Sequence, residues 1–189
     1  LSGPRALPGT YRAVLTVGDA RSEATFEVVA DPRSETGAED LRRQFDYLLA
    51  VRDTLTRTHR AIRKLREVRH QVSDLQERLP EDSEAAAIAE RMLASMKAVE
   101  EALYQTRNES RQDPLNFPIR LNDKLANLIG KADSGDWAPT AQLEAVRAEL
   151  TGAIEAQLSE LERVWAEDLP AFDAAVKALD LPAVAVDEP

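Results

Sequence analysis

Residues 39–79 read EDLRRQFDYLLAVRDTLTRTHRAIRKLREVRHQVSDLQERL, and this stretch decides the fold. Leu41, Phe45, Leu48, Leu55, Ile62, Leu65, Val68, Val72, Leu75 and Leu79 recur almost entirely at intervals of three, four and seven residues. On a helix of 3.6 residues per turn that spacing gathers them along one face. Neither Gly nor Pro interrupts the run, and Arg, Lys, Glu and Gln, all good helix formers, fill the other faces. At 1.5 Å per residue the predicted helix is roughly 60 Å long. An apolar stripe of that length is unstable in water, so the rest of the chain must supply helices to cover it.

Downstream, Leu79-Pro80 ends the first helix, and Asp82 or Ser83 starts a second with its own stripe, Ala85, Ile88, Ala89, Met92, Met96, Val99 and Leu103. So short a connection between long helices predicts an antiparallel pair. Residues 110–118, with Pro114, Asn116 and Pro118, turn irregular. A shorter helix is expected over 119–132, burying Leu121, Leu125, Leu128 and Ile129. Residues 133–139 form a loop, and Thr140 caps a last long helix with Leu143, Val146, Leu150, Ile154, Leu158, Leu161, Trp165 and Leu169 toward the core. Pro170 is expected to kink or break it, after which Phe172, Val176 and Leu179 extend the pattern.

Upstream, Tyr11, Ala13, Leu15 and Val17 alternate with Arg12, Val14 and Thr16, the period of a half-buried strand. Gly18-Asp19-Ala20-Arg21 supplies a turn, and Ala24, Phe26 and Val28 alternate with Glu23, Thr25 and Glu27 in a second strand. A lone two-stranded hairpin is marginal in water. The nine residues before it are too few and too proline-rich for a full sheet, so it either packs on the helices or, the reading preferred, is the end of a sheet whose other strands lie upstream of Leu1. The start at Leu1 rather than Met accords with an excised or processed piece. Pro32 ends the strand, and Ser34 or Thr36 is placed to cap the long helix ahead of Glu39 and Asp40. The expected fold is therefore mostly α, an antiparallel bundle of long helices preceded by a short β-hairpin. Residues 1–33 carry the hairpin, 34–180 the bundle and 181–189 a loose tail.

Composition narrows function mainly by exclusion. A formal charge of −10 argues against general nucleic-acid binding and against an anionic membrane surface. No uncharged apolar run approaches the roughly 18 residues of a membrane span. With no cysteine, thiol catalysis, disulfides and zinc–thiolate sites are ruled out. His59 and His70 lie about 16 Å apart along one helix, too far to share a metal. No cofactor is implied. Carboxylate pairs such as Glu81/Asp82 and Glu100/Glu101 sit in charge-rich surroundings and read as solvated. No Gly-rich phosphate loop or nucleophile elbow is present.

Two features stand out as candidate interaction sites. Arg57, Arg60, Arg63, Lys64, Arg66 and Arg69 set six cations against Glu67 alone in the middle of the first helix. The last helix carries seven acids, Glu144 to Asp168, against Arg147 and Arg163. Oppositely charged neighbouring helices account for both; an acidic partner for the basic stretch is the alternative. The second feature is the loop Pro114-Leu115-Asn116-Phe117-Pro118, where Asn116 and Phe117 either contact a ligand or plug the end of the bundle.

Leu7-Pro8-Gly9-Thr10-Tyr11 running through Val17, with Asp31-Pro32-Arg33 after the hairpin, and Pro114-Leu115-Asn116-Phe117-Pro118-Ile119-Arg120-Leu121-Asn122-Asp123-Lys124-Leu125 carry a family resemblance. They resemble the C-terminal region of large bacterial proteins with sortilin-like (VPS10/BNR-repeat) β-propellers, often labelled glycosyl hydrolases. Phe117 stands where that family more often has tyrosine, which removes a phenolic hydroxyl. The resemblance implies that the hairpin closes an Ig-like sheet after a propeller, and that the helices form a tail. It implies export to the periplasm, the outer surface or the medium. No catalytic residue carries over, because the propeller is not in these residues. The expected function is a non-catalytic C-terminal module supporting or assembling a larger exported protein. Its partners are the upstream domains of the parent, with a protein partner or a second copy also possible. The alternative is a free-standing helical adaptor or coiled-coil dimerisation module.

Overall fold

The computed structural model describes residues 3–180, so the tail expected at 181–189 lies outside the described residues. Two antiparallel strands, β1 (Gly9–Val17) and β2 (Ala20–Val28), precede the helices α1 (Ala38–Gln76), α2 (Glu84–Leu103), α3 (Leu121–Ala132), α4 (Ala141–Arg163) and α5 (Leu169–Ala178). A 3-10 turn covers Asp113–Leu115, and a π-helical turn, Val164–Asp168, joins α4 to α5. This is the mostly α bundle preceded by a hairpin that the patterning predicts. Two compact units divide the chain, one made of residues up to Leu55 with Leu125–Glu149, the other of Thr56–Lys124 with residues from Leu150 onward.

In the first unit the strands are joined by a two-residue turn. Gly18 has a φ of +57°, which suits a glycine at the first central position of a type II′ hairpin turn. The core holds Tyr47, Leu48, Val51, Leu55, Leu125, Leu128 and Ala132. Gln44 is buried among them, and its amide donates to the carbonyls of Ala132 at 2.7 Å and Gly135 at 2.5 Å. It thus satisfies one acceptor at the end of α3, left without a helical partner, and one in the loop beyond it. A side chain at Gly135 would displace the Trp137 ring, since a Cβ there would stand 2.0 Å from it. The cap of α1 differs from expectation. The Thr36 hydroxyl bonds the carbonyl of Asp136, and Ser34 accepts from the Thr36 amide at 3.3 Å. Neither capping side chain reaches the first turn of α1; the carbonyl of Gly37 accepts from Leu41 at 3.2 Å instead.

In the second unit Ser83 caps α2 as expected, accepting from the Ala86 amide at 3.1 Å. Ile62, Leu65 and Val72 of α1, the α2 stripe from Ala85 to Leu103, and Ile154, Leu161, Val164 and Phe172 are all buried. Pro170 does not break the last helix. Its missing N–H and the ring's clash with the preceding turn are absorbed by the π turn, in which the Leu169 amide bonds the Val164 carbonyl five residues back. The turn seats Val164 in the core, whereas Trp165, expected there, is half-buried. The helix then continues into α5, which packs on α2.

Truncating Ile62 or Ile154 to Ala opens a cavity at a site no more than 4% exposed. Each substitution is expected to cost about 2–5 kcal/mol in urea unfolding followed by circular dichroism. A loss below about 1 kcal/mol at both would contradict this packing.

Candidate functional site

The register places Tyr11 opposite Phe26, Ala13 opposite Ala24, Leu15 opposite Ser22 and Val17 opposite Ala20. Directly opposed residues share a face, so these eight side chains form one largely apolar surface. The other face carries Thr10, Arg12, Val14 and Thr16 opposite Glu27, Thr25, Glu23 and Arg21. On that face Glu23 takes ion pairs from Arg12 at 3.3 Å and from Arg21 at 2.5 Å. The apolar face is uncovered: Leu15 is 65% exposed, Val17 67% and Phe26 50%. The Tyr11 and Phe26 rings stack with centroids 6.0 Å apart.

Two further contacts define the hairpin. The Tyr11 hydroxyl donates to the Leu7 carbonyl at 2.8 Å, four residues upstream. The bond closes a tight corner between the start of β1 and the backbone just upstream. At the root, Arg5 pairs with Asp133 at 3.3 Å and Asp136 at 2.9 Å, on the loop after α3. A cavity of about 290 Å³ there is lined by Leu7, Val28, Leu41, Phe45 and Leu48, among others. The strand pair is therefore anchored to the helical part of its own unit while its apolar face stays open.

The basic stretch of α1 is largely taken up inside the protein. Arg57 pairs with Glu155 of α4, and the Lys64 ammonium lies 5.2 Å from the Trp165 ring centroid. Arg66 and Arg69 both pair with Glu100 of α2, and Arg66 also lies 5.0 Å from the Tyr104 ring centroid. Arg60 and Arg63 make no ion pair among the described residues. Arg63 lines an open groove of about 460 Å³ with Thr56, His59, Ile62, Arg66 and Tyr104. The expectation that Glu100 is solvated is corrected, since it is 2% exposed. Burial is possible because two guanidiniums of α1 meet the carboxylate near the C-terminal end of α2. Within α4 and the π turn four of the seven acids pair with the helix's own two arginines. Arg147 pairs with Glu144, and Arg163 pairs with Glu160, Glu167 and Asp168. The hydrogen bond from Arg163 holds the Glu160 carboxyl below the usual range.

Asn116 is exposed, and Phe117 is half-buried with the Arg107 guanidinium 4.0 Å from its ring centroid. The loop before them is tied by Asp113, whose carboxylate accepts from the Ser110 hydroxyl and amide, both at 2.7 Å, and from the Glu109 amide at 2.5 Å. Those bonds, the Ser110 hydroxyl first, hold its carboxyl below the usual range. At the start of α3, Asn122 is buried with its Nδ2 3.5 Å from His59 Nε2. Among the described residues no three His, Cys, Asp or Glu converge as metal ligands would, and no helix is long and apolar enough to cross a membrane.

No family model matches the chain, and no curated protein or solved structure shows significant similarity to it.

The candidate site is thus the open hairpin face. Its residues are visible in the alternation of the sequence, but the Tyr11–Leu7 bond and the buried Glu100 are not. The first needs the backbone to turn back on itself, and the second needs a partner helix.

The Glu100 cluster is expected to be asymmetric to mutation. Removing both arginines (Arg66→Ala with Arg69→Ala) strands a buried carboxylate and should cost about 3–5 kcal/mol in chemical unfolding. Glu100→Gln should cost clearly less, because the two arginines, 45% and 37% exposed, regain water. Equal losses would show that the carboxylate is not desolvated.

His70 offers a test by pH. The His70 imidazole is raised above the ordinary value by its hydrogen bond to the residue's own backbone and then by Asp74, whose carboxylate stands 2.9 Å from Nδ1. A raised folded-state value means the contact stabilises helix α1 at pH below the ordinary histidine range. The contribution then disappears as pH rises through the folded value. An NMR titration should place the His70 midpoint above that of an unstructured histidine, and Asp74→Asn should lower it. An unmoved midpoint in the variant would remove Asp74 as a cause.

Proposed function

We propose that this chain is a non-catalytic helical module whose hairpin supplies closing strands to an Ig-like sheet of a larger exported protein of the sortilin-like β-propeller type. There it supports or assembles the parent. One observation carries the reading: the hairpin is amphipathic and its largely apolar face is open, with Leu15, Val17 and Phe26 each at least half exposed. Full burial of a Leu, Val or Phe side chain is worth about 1.5–3 kcal/mol. The three together leave a stabilisation unrealised that is large against the roughly 5–15 kcal/mol of a whole domain. A second sheet laid over that face recovers it, as in a sandwich.

Three further points support the reading. The Tyr11–Leu7 corner is the local geometry of an Ig-type strand F. The segment from Leu7 to Tyr11 and the segment from Pro114 to Leu125 carry the family resemblance. The ion pairs of Arg5 and the bond from Thr36 to Asp136 fasten the hairpin root to the loop after α3. A sheet that accepts these strands thereby gains the helices as a fixed attachment rather than a dangling tail.

The test compares residues 1–189 with the full-length natural polypeptide, using a dye that fluoresces on open apolar surface. The 189-residue chain should bind the dye, and Leu15→Thr with Val17→Thr and Phe26→Thr should abolish binding without moving the helical thermal midpoint. In the full-length protein the unmodified face should not bind dye, and the same triple change should lower the melting temperature of the β signal. Dye binding at this face in the full-length protein would overturn the reading.

A further inference from the structure

Resting on that reading, we propose that the open edge of β1, rather than that of β2, receives the next strand of the sheet, and that this strand belongs to the same polypeptide. β1 becomes an interior strand, and β2 becomes the sheet's outer edge.

The backbone fixes which groups are available. Val17 and Ala20 are partners across a two-residue turn, so they exchange both of their hydrogen bonds. Antiparallel alternation then turns the N–H and C=O of Val17, Leu15, Ala13 and Tyr11 toward β2. Those of Thr16, Val14, Arg12 and Thr10 point out of the open edge of β1. On the other edge the outward groups belong to Arg21, Glu23, Thr25 and Glu27.

The two edges differ in charge. Three of the four outward residues of β2 are charged, against Arg12 alone on β1. Charged side chains along an edge oppose the addition of another strand. β2 therefore has the composition of a terminal edge, and β1 has that of a strand meant to be paired. The Tyr11–Leu7 corner, on β1, agrees independently. In an Ig sandwich the corner strand F lies between C and G, with G the next strand in sequence. β2 follows β1 through a two-residue turn and takes the position of G.

Area selects the occupant. Two nine-residue strands present a face of about 30 Å by 10 Å, roughly 300 Å². Stable association between separate chains buries about 800 Å² per partner. The hairpin face and edge fall well short, so a second copy or a free protein is held too weakly. A strand on the same polypeptide meets the edge at a high effective concentration and needs no such area.

Amide hydrogen exchange by NMR tests this directly. In residues 1–189 the amides of Thr10, Arg12, Val14 and Thr16 should exchange faster than those of Tyr11, Ala13, Leu15 and Val17. In the full-length natural polypeptide the first set should slow by about 100-fold or more, while Arg21, Glu23, Thr25 and Glu27 stay fast. Slowing of the β2 set instead would overturn the edge assignment and leave the Ig-sheet reading standing. If neither set slows, the reading itself fails. Concentration-dependent slowing of the β1 set in residues 1–189, together with dimer formation in analytical ultracentrifugation, would make a second copy the occupant and overturn the same-chain assignment. Substitutions give a second readout. Val14→Pro removes an outward N–H without touching the hairpin ladder and should lower the melting temperature of the full-length protein. Glu23→Pro, on the opposite edge, should not.

Discussion

The burial of one long apolar stripe constrains everything else in this protein. Helix α1 is 39 residues long, about 58 Å at 1.5 Å per residue. Its stripe is longer than either α2 or α3 can cover. The chain answers by covering different stretches of it with different segments. Tyr47, Leu48, Val51 and Leu55 share a core with α3 residues, while Ile62, Leu65 and Val72 belong to the unit containing α2, the later part of α4 and α5. A helix this long gains little from local propensity alone; its stability comes from the faces laid against it.

Charge has a narrower role than the composition suggests. The net charge of −10 leaves room for large unpaired acidic surfaces, and the two arginines of α4 pair with four of the seven acids in α4 and the π turn without balancing their charge. One ion pair, Arg57 with Glu155, joins α1 to α4, and exposed pairs of this kind contribute about 0–1 kcal/mol. The Glu100 cluster is of another type. A carboxylate removed from water is tolerable only in the register that delivers both arginines to it, so it selects one alignment of α1 against α2 more than it adds stability.

The helices and the hairpin were legible because their signal is periodic. Leu48, Leu55, Ile62, Leu65 and Val72 repeat with the turn of a helix, and Tyr11 to Val17 with the pleat of a strand, so each pattern fixes a face without knowledge of its partner. What was not legible depends on contacts distant in sequence. Gln44, Thr54 and Thr58 are buried in α1 although their polarity reads as interruption of the stripe. Gln44 is inside because carbonyls 88 and 91 residues away accept its amide. Thr36 fails to cap α1 for the same reason, its hydroxyl being claimed by Asp136. The candidate site was half legible. Alternation predicts an amphipathic hairpin, but only the structure shows that no described element covers its apolar face.

The π turn at Val164–Asp168 has a meaning at the level of the gene. A π turn is an α-helix holding one residue more than its hydrogen-bond ladder calls for. Losing a single codon between those positions would restore the ordinary α-helical ladder with the later side chains still in phase, whereas winding all the present residues as ordinary α-helix would not keep that phase. In the second case every side chain beyond the turn would rotate by about 100° relative to the helix before it. Phe172, now 2% exposed, would leave its place in the core, and Pro170 would lose the widened turn that accommodates it. The π turn thus acts as a phase adjuster, taking up the extra residue and letting one continuous helix bury Leu161 and Val164 before the proline and Phe172 after it.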